Sequence, residues 1–553
     1  MQGLMQEYPL TIQHIFTRAV RLFPRQEIVT RTDYGFHRYT YAEFGERVAR
    51  LANALTGMGV RPGDRVATFG WNTYRHLELY CAVPCMGAVL HTLNIRLFAE
   101  QIEFIANDAN DKVIFVDADL VPVLDKLAGK LPTVRQFVVM GTPAEPTRLA
   151  PTFDYEALLA SNAPRYAWPV LDENSASAMC YTSGTTGNPK GVVYSHRSSF
   201  LHSMGICMAD NFGVSERDVV LPVVPMFHAN AWGLPYATTL AGAKHVLPGR
   251  FLGGQQLVEM VEQERVSILA GVPSIWIGLA SYLERVSLEP TQPDLSSVRL
   301  VPCGGSAIPP ALMRTMDRFG LPMLHAWGMT ETSPLASVSR VNPTGEQRSE
   351  EEQFKIRSKQ GRVVPGVEFR VVNMETLEEV PWDATSAGEI QVRGPWIARA
   401  YYHDEDNTEK FMDGWLRTGD VATVDADGYM QIVDRTKDLV KSGGEWISSV
   451  ELENLIMAHP QVLEAAVIGV PHPILQERPV AYVVPKPEFV GQVTADDILD
   501  FLRPQVAKWW LPDEVLFIEA VPKTSVGKFN KRELRDDYAA AKSVPAVESH
   551  TVS

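Results

Sequence analysis

The sequence predicts an α/β protein. A large N-terminal domain of doubly wound sheets with a small β-subdomain is followed by a smaller α+β C-terminal domain. Three observations carry this. Amphipathic helical stretches alternate with short apolar runs through the first 330 or so residues. The runs KVIFVD (112–117) and QFVVM (136–140) are continuously apolar, as in parallel sheets covered on both faces. At 553 residues the chain exceeds what one hydrophobic core organises, so at least two domains are expected.

Taken in order, FGERVARLANALTGMGV reads as a helix with Gly57 and Gly59 near its end, and RVATFG as a strand. LELYCAVPCMGAVLHTL reads as a buried helix leading into another strand. VVLPVVP, HVLPG, VSILAG and VRLVPCGGSA are expected strands between 215 and 330. SILAGVPSIWIGLA (267–280) is the most apolar window, too short for a membrane span, and reads as a buried strand and a helix. From about 360 come short strands and turns, VEFRVVN, GEIQVRGP and GYMQIVDR, with DADG (425–428) as a hairpin turn. After Asp434 follows a unit of about 115 residues: DLVKSGGEWISSVELENLIMAHP, strands EAAVIGVP and PVAYVVP, a helix over 495–507, and strand VLFIEAVP. The final AAKSVPAVESHTVS is expected to fray.

Composition narrows the function. Hydrophobic residues make up 45% and charged residues 21%, and the net charge is -15. Such an acidic balance, without a long Lys/Arg run, argues against nucleic acid as the main partner. Five cysteines without a C-x-x-C pair suit reduced thiols in the cytoplasm. Cys81 and Cys85 share a helix face, but no neighbouring Cys/His pair completes a metal set. The N-terminal MQGLMQEYPLTIQHIF lacks a basic start and an apolar run, so no secretory signal is expected.

Five segments carry chemistry. YTSGTTGNPKG (181–191) places glycines and four hydroxyls (Thr182, Ser183, Thr185, Thr186) before Lys190. Backbone N–H groups in such a turn converge on phosphate oxygens, and the apolar flanks set the loop between strands. It departs from the P-loop pattern because Gly191 follows Lys190. HAWGMTETSP (325–334) sets the Thr330 hydroxyl beside the Glu331 carboxylate, a pair suited to phosphate and a hard cation; alone, T-E is a helix cap. In GWLRTGD (414–420), Asp420 follows a glycine in a turn, where a carboxylate accepts ribose hydroxyls or merely caps the turn. DRTKDLVKSGGEWIS (434–448) crowds Arg435, Lys437, Asp438, Lys441 and Glu445 around glycines at a domain junction. PKTSVGKFNKRELR (522–535) sets Lys528 after a glycine in a charged hairpin.

In this order, YTSGTTGNPKG, HAWGMTE, WLRTGD, DRTKDLVKSGGEWIS and KTSVGK resemble the adenylate-forming acyl-CoA synthetases over about residues 10–540. VVPMFHANAW (223–232) and the extended KSGGEWIS look most like the medium- and long-chain fatty acyl-CoA ligase branch. The resemblance implies two half-reactions: a carboxylate attacks the α-phosphorus of ATP to give acyl-AMP and pyrophosphate, and the CoA thiol then displaces AMP. Charge grows on the leaving pyrophosphate, which calls for donors and cations.

By this resemblance Thr182, Ser183, Gly184, Thr185, Thr186, Gly187 and Lys190 hold the β- and γ-phosphates. Thr330 binds the α-phosphate, and Mg²⁺ is bound by Glu331 with Thr182. Gly304, Gly305, Ser306, His325, Ala326 and Trp327 wall the adenine; Trp327 stands where many relatives carry tyrosine. Asp420 and Arg435 meet the ribose, and Lys528 is the adenylation lysine. Lys437 is the hinge of a mobile C-terminal domain and, with Lys441, meets the nucleotide. Ser442, Gly443, Gly444, Glu445 and Trp446 line the CoA path. His228, Asn230 and Trp232 border the acyl pocket, with Trp232 as a gate. The implied domains are 1–434, a linker 435–441, and 442–553.

An aryl or short sulfur-containing acid is the alternative substrate, and a carrier-protein-loading acyl-AMP ligase the alternative enzyme, though no extra insertion points to the latter. A non-catalytic acyl-AMP binder would be expected to lose Lys528 or Glu331, and both are present. Nothing singles out the oxygen chemistry of a luciferase-like oxidase. A homodimer is expected from the resemblance, and no basic amphipathic helix points to membrane contact.

Overall fold

The alternation of helices and apolar runs closes into three sheets in the first 370 residues of the computed structural model. The structure describes residues 1–182, 188–290, 292–404, 407, 409–443, 445–523 and 529–543. Contacts divide the chain into two units, Met1–Ile308 with Leu312–Arg370 and Gln391–Arg417, and Pro309–Ala311 with Val371–Ile390 and Thr418–Ser553.

In the first unit, a seven-stranded sheet runs in the order 152–154, 136–140, 111–117, 65–69, 89–92, 176–181, 191–195. Every neighbouring pair is parallel except the last, where Tyr181 faces Gly191 in an antiparallel pair. Ile114, Val116, Phe137 and Val139 pack with Ile102, Ile105 and Leu124, while Phe115 and Val138 are equally buried on the opposite face. Both faces are therefore covered, as the continuous apolar runs require. A second sheet orders 268–270, 219–222, 244–247, 27–32 and 35–40, with only the last pair antiparallel. A third comprises 301–303, 323–328, 335–338 and 362–363.

In the second unit, strands Val462–His472 and Gln476–Pro485 pair antiparallel, and Glu514–Phe517 joins the latter in parallel. Successive residues alternate between two cores. Ala465, Val467, Ala481 and Val483 pack with Leu452, Ile456, Ile498 and Leu502. Ala466, Ile468, Val480 and Tyr482 pack with Val521 and Leu534. Helices Ser449–Met457 and Ala495–Leu502 thus cover one face, and Lys531–Ser543 the other.

Several boundaries differ from expectation, and proline accounts for two. The strand expected over 219–225 ends at Pro222, which has no N–H to extend the ladder. The helix expected to 507 ends at Leu502, because Pro504 has no N–H to continue the helical ladder. VSILAG, VRLVPCGGSA and VLFIEAVP contribute only Ile268–Ala270, Val301–Cys303 and Glu514–Phe517 as strand. The expected fraying of AAKSVPAVESHTVS is corrected for 540–543, which belong to the last helix, while 544–553 lie outside the described residues. Asp420 is also corrected: it lies inside strand Trp415–Val424, directly after Gly419 at φ +77°.

Candidate active site

Each unit carries part of the predicted set. In the first unit, the glycine-rich segment springs from antiparallel strands Ala176–Tyr181 and Gly191–Ser195. Its base is closed by Thr182 N donating to Lys190 O at 2.9 Å and Lys190 N donating to Thr182 Oγ1 at 3.3 Å. A Cβ on Gly191 would lie 3.1 Å from both Tyr181 Cζ and Tyr402 Cβ. The bare glycine lets Tyr402 N reach Gly191 O at 2.8 Å, which lays segment 401–404 beside the loop. There Lys190 Nζ pairs with Asp404 Oδ2 at 2.7 Å and sits 4.9 Å from the centre of the Tyr401 ring. Ser183, Gly184, Thr185, Thr186 and Gly187 lie outside the described residues.

Thr330 and Glu331 occupy a single buried 3₁₀ turn, Thr330–Thr332, after strand Met323–Gly328. Three bonds fix it. Tyr194 Oη donates to Thr330 O at 2.8 Å, and Ala398 N donates to Glu331 O at 2.7 Å. Tyr401 Oη donates to Glu331 Oε1 at 2.5 Å. Burial and the adjoining Glu331 carboxylate push the Tyr401 phenol up, so it stays a donor. Gly328 is obligatory before this turn, since a Cβ would fall 1.7 Å from Pro334 O.

Gly304 is held close under Ala326, whose carbonyl oxygen would lie 2.3 Å from a Cβ there. Gly305 takes φ +87°, Ser306 is exposed, and Trp327 is buried in the strand. The His325 ring is also buried; burial pulls it down to about 4, and Nδ1 meets Ser358 O at 3.1 Å.

The FHANAW segment holds an unexpected conformation. Ala229, Asn230, Ala231 and Trp232 have φ of 41°, 53°, 47° and 58°, and Gly233 follows at 72°. Each left-handed non-glycine residue costs about 1–2 kcal/mol, so the surroundings must impose the turn. They do so through Asn230, whose Oδ1 accepts from Cys180 Sγ at 3.2 Å and Tyr80 Oη at 3.4 Å. Asn72 fixes the approach, with Nδ2 donating to Pro222 O and Val224 O while Oδ1 accepts from Met226 N. Trp232 is buried and His228 half-buried.

In the second unit, Asp420 and Arg435 sit opposite each other on paired strands and form an ion pair of 3.2 Å. Thr436 donates twice to Gly419 O, which closes the hairpin after Arg435. Burial depresses the Lys437 ammonium, with Asp438 opposing and Arg435, Arg535 and Lys531 adding to it. Lys441 N donates to Glu477 Oε2 at 2.9 Å, and Lys441 Nζ lies 5.1 Å from the Trp446 ring. Ser442 Oγ accepts from Arg478 at 3.1 Å, Gly443 takes φ +63°, and Trp446 is exposed. Glu445 lies on strand Glu445–Ile447, paired with Ser442. Gly444 and Lys528 lie outside the described residues; Lys523 and Phe529, which flank Lys528, form an antiparallel bridge.

Tyr194, Tyr401 and Asp404 adjoin predicted site residues and carry no signal of spacing in the sequence. Among the described residues no group of three His, Cys, Asp or Glu could hold a metal ion, and no helix is long and apolar enough to cross a membrane.

The family model for AMP-binding enzymes matches residues 16–402, and that for the AMP-binding enzyme C-terminal domain matches residues 451–528. The chain is 48% identical over 538 residues to a long-chain-fatty-acid–CoA ligase of Thermus thermophilus, covering 97% of this chain and 96% of that protein. It is 44% identical over 545 residues to a 3-methylmercaptopropionyl-CoA ligase of Ruegeria lacuscaerulensis, covering 98% and 99%. The crystal structure of the anthranilate CoA ligase AuaEII with anthranoyl-AMP superposes with a TM-score of 0.85 at 25% identity, covering 98% of this chain and 100% of that one.

Proposed function

The chain belongs to the AMP-binding enzyme family and is an AMP-forming acid–thiol ligase, and on that premise we propose that its acid is a medium- or long-chain fatty acid. The observation that carries the site is the Thr330–Glu331 turn, fixed by Tyr194, Ala398 and Tyr401 in the same unit as Lys190. In the first half-reaction a substrate carboxylate oxygen bonds to the α-phosphorus of ATP, and the bond to the bridging oxygen breaks as pyrophosphate leaves. No base is needed, because the carboxylate is already ionised at neutral pH. Lys190 and the hydroxyls of 182–186 bind the leaving pyrophosphate, and Thr330 orients the α-phosphate. Lys528 bridges the carboxylate and the α-phosphate.

Glu331 fits a Mg²⁺ ligand: it offers hard oxygens, its carboxylate is oriented through Oε1, and Mg²⁺ commonly takes one or two protein carboxylates beside phosphate and water. Glu331 would hold the ion, with Thr182 contributing an oxygen, and the ion would neutralise charge on the phosphates. Asp420 and Arg435 bind the ribose, and Gly304, Gly305, Ser306, His325, Ala326 and Trp327 wall the adenine. Asp404 pairs with Lys190 here, so nucleotide phosphate competes with a carboxylate for this ammonium.

In the second half-reaction the CoA sulfur bonds to the acyl carbon, AMP departs, and the thiol proton passes to solvent. The C-terminal domain from about residue 442 swings about Lys437 to withdraw Lys528 and bring Ser442–Trp446 to the thiol. Trp232, on its clamped left-handed turn, closes the acyl pocket. A second reading, a short sulfur-containing acid, draws support from the 3-methylmercaptopropionyl-CoA ligase relative. A homodimer is the oligomer the resemblance suggests, and light scattering reads it directly.

The test is a panel of acids, from acetate and 3-methylmercaptopropionate through octanoate, palmitate and benzoate, scored by CoA-dependent AMP release. Highest kcat/KM for octanoate or palmitate supports the fatty acid; a preference for the short or aryl acids overturns it.

A further inference from the structure

Lys437 is flanked by two kinds of bond. Some join residues that both follow it. Arg535 donates to Asp438 at 2.8 Å, and Lys531 Nζ reaches Glu453 Oε1 at 2.6 Å. Others cross it. Ser449 N and Ser449 Oγ both donate to Asp434 Oδ2, at 2.6 and 2.7 Å, and Ser448 Oγ donates to Val433 O. Asp434 belongs to strand Met430–Arg435, before the linker, whereas Ser449 opens helix Ser449–Met457 beyond it.

The crossing bonds are buried and charge-assisted. Asp434 is 1% exposed and Ser449 fully buried. Lys531 Nζ donates to Ser449 Oγ at 2.6 Å, so this hydroxyl accepts from an ammonium and donates to a carboxylate. Burial works against the Lys531 ammonium, but Glu453, Asp434 and Asp438 outweigh it and raise its pKa. Bonds of this kind are short and directional, and tolerate only small displacements.

We infer that Asp434 and Ser449 form a latch across the Lys437 hinge, reinforced by Lys531, which must open for the second domain arrangement to form. The inference rests on the two-half-reaction reading above. A change of backbone angle at Lys437 turns everything after it relative to Asp434, so the crossing bonds part while Asp438–Arg535 and Lys531–Glu453 travel together. The latch is therefore a positioning device: it touches no substrate, and it sets how the enzyme divides its time between the two arrangements.

The test measures octanoate-dependent ATP–pyrophosphate exchange and, separately, thioester formation from preformed octanoyl-AMP and CoA. Ser449→Ala removes one crossing bond, and its loss is worth about three- to tenfold in a two-state population. The latch predicts that one half-reaction rises while the other falls, moving their ratio at least about threefold. Ser449→Thr, which keeps the hydroxyl, restores the ratio, and Tyr538→Phe, which breaks the bond from Tyr538 Oη to Glu514 at 2.7 Å between two residues that both follow Lys437, leaves it unchanged. Equal losses in both half-reactions, an unmoved ratio, or a Tyr538→Phe effect as large as that of Ser449→Ala overturns the latch. Asp434→Asn provides an independent second variant, expected to move the ratio in the same direction as Ser449→Ala. If the unmodified enzyme exchanges no pyrophosphate with octanoate or any acid of the panel, the ligase reading fails and the latch with it. A working enzyme in which Ser449→Ala matches Ser449→Thr refutes the latch alone.

Discussion

The Glu331 carboxylate is held in one orientation by its neighbours, as the proposed ligand role requires. A carboxylate on a lone turn samples several rotamers, and the Tyr401 hydroxyl at 2.5 Å selects one. Tyr401→Phe keeps the ring and removes this bond, so the KM for Mg-ATP should rise about three- to tenfold with a smaller change in kcat. An unchanged KM in steady-state assays contradicts the positioning role. Lys528→Ala should abolish acid-dependent pyrophosphate exchange while leaving thioester formation from supplied acyl-AMP largely intact; equal loss in both removes the role given to this lysine. The candidate residues could be named because five ordered segments carry them. Tyr194, Tyr401 and Asp404 were not, since a single tyrosine or aspartate declares a partner only once the chain has folded.

At the scale of elements, strand and helix types were legible from apolar runs and periodicity, while several ends were set by chemistry between neighbours. Pro222 and Pro504 could be read as stops, and each cut an element short. The left-handed turn at 229–233 was not legible, because alanine and tryptophan give no signal for positive φ. Its cause is tertiary, the clamp on Asn230 from Cys180 and Tyr80. Two glycine substitutions test the element account. Gly328→Ala drives a Cβ to 1.7 Å from Pro334 O, so it should destabilise by about 3 kcal/mol or more and displace the Thr330–Thr332 turn. Gly278 lies exposed inside helix Pro273–Val286 with nothing within 4 Å of its Cβ position. Gly278→Ala should therefore stabilise by about 0.5–1 kcal/mol. Urea midpoints of the two variants should move in opposite directions; a shift in the same direction counts against the packing described.

At the scale of the molecule, length alone called for at least two domains, and contacts divide the chain into two units. Buried histidines give the whole chain a pH signature. Burial holds His76, His196 and His325 down to about 4, and His202 and His245 to about 3. Unfolded, each takes a proton near pH 6.5. Unfolding therefore binds protons between about pH 6.5 and 4, and stability present above pH 6.5 is lost as pH falls through that window. Burial also raises Asp117 and Glu453 to about 7, and these carboxylates bind protons in the folded state over the same window and offset part of the effect; the urea midpoint should still fall from pH 7 to 5.5, and a midpoint that rises contradicts the neutral, buried state of these rings. Lys437→Pro belongs to this scale too: it should spare adenylation and block thioester formation, and the reverse pattern removes the hinge. The most direct test of the central claim is octanoate-dependent ATP–pyrophosphate exchange with Mg²⁺ and without CoA. Acyl-adenylate chemistry predicts exchange before any CoA is added, followed by AMP and octanoyl-CoA on its addition. Exchange that stays silent until CoA is present, or products of ADP and phosphate, contradicts it.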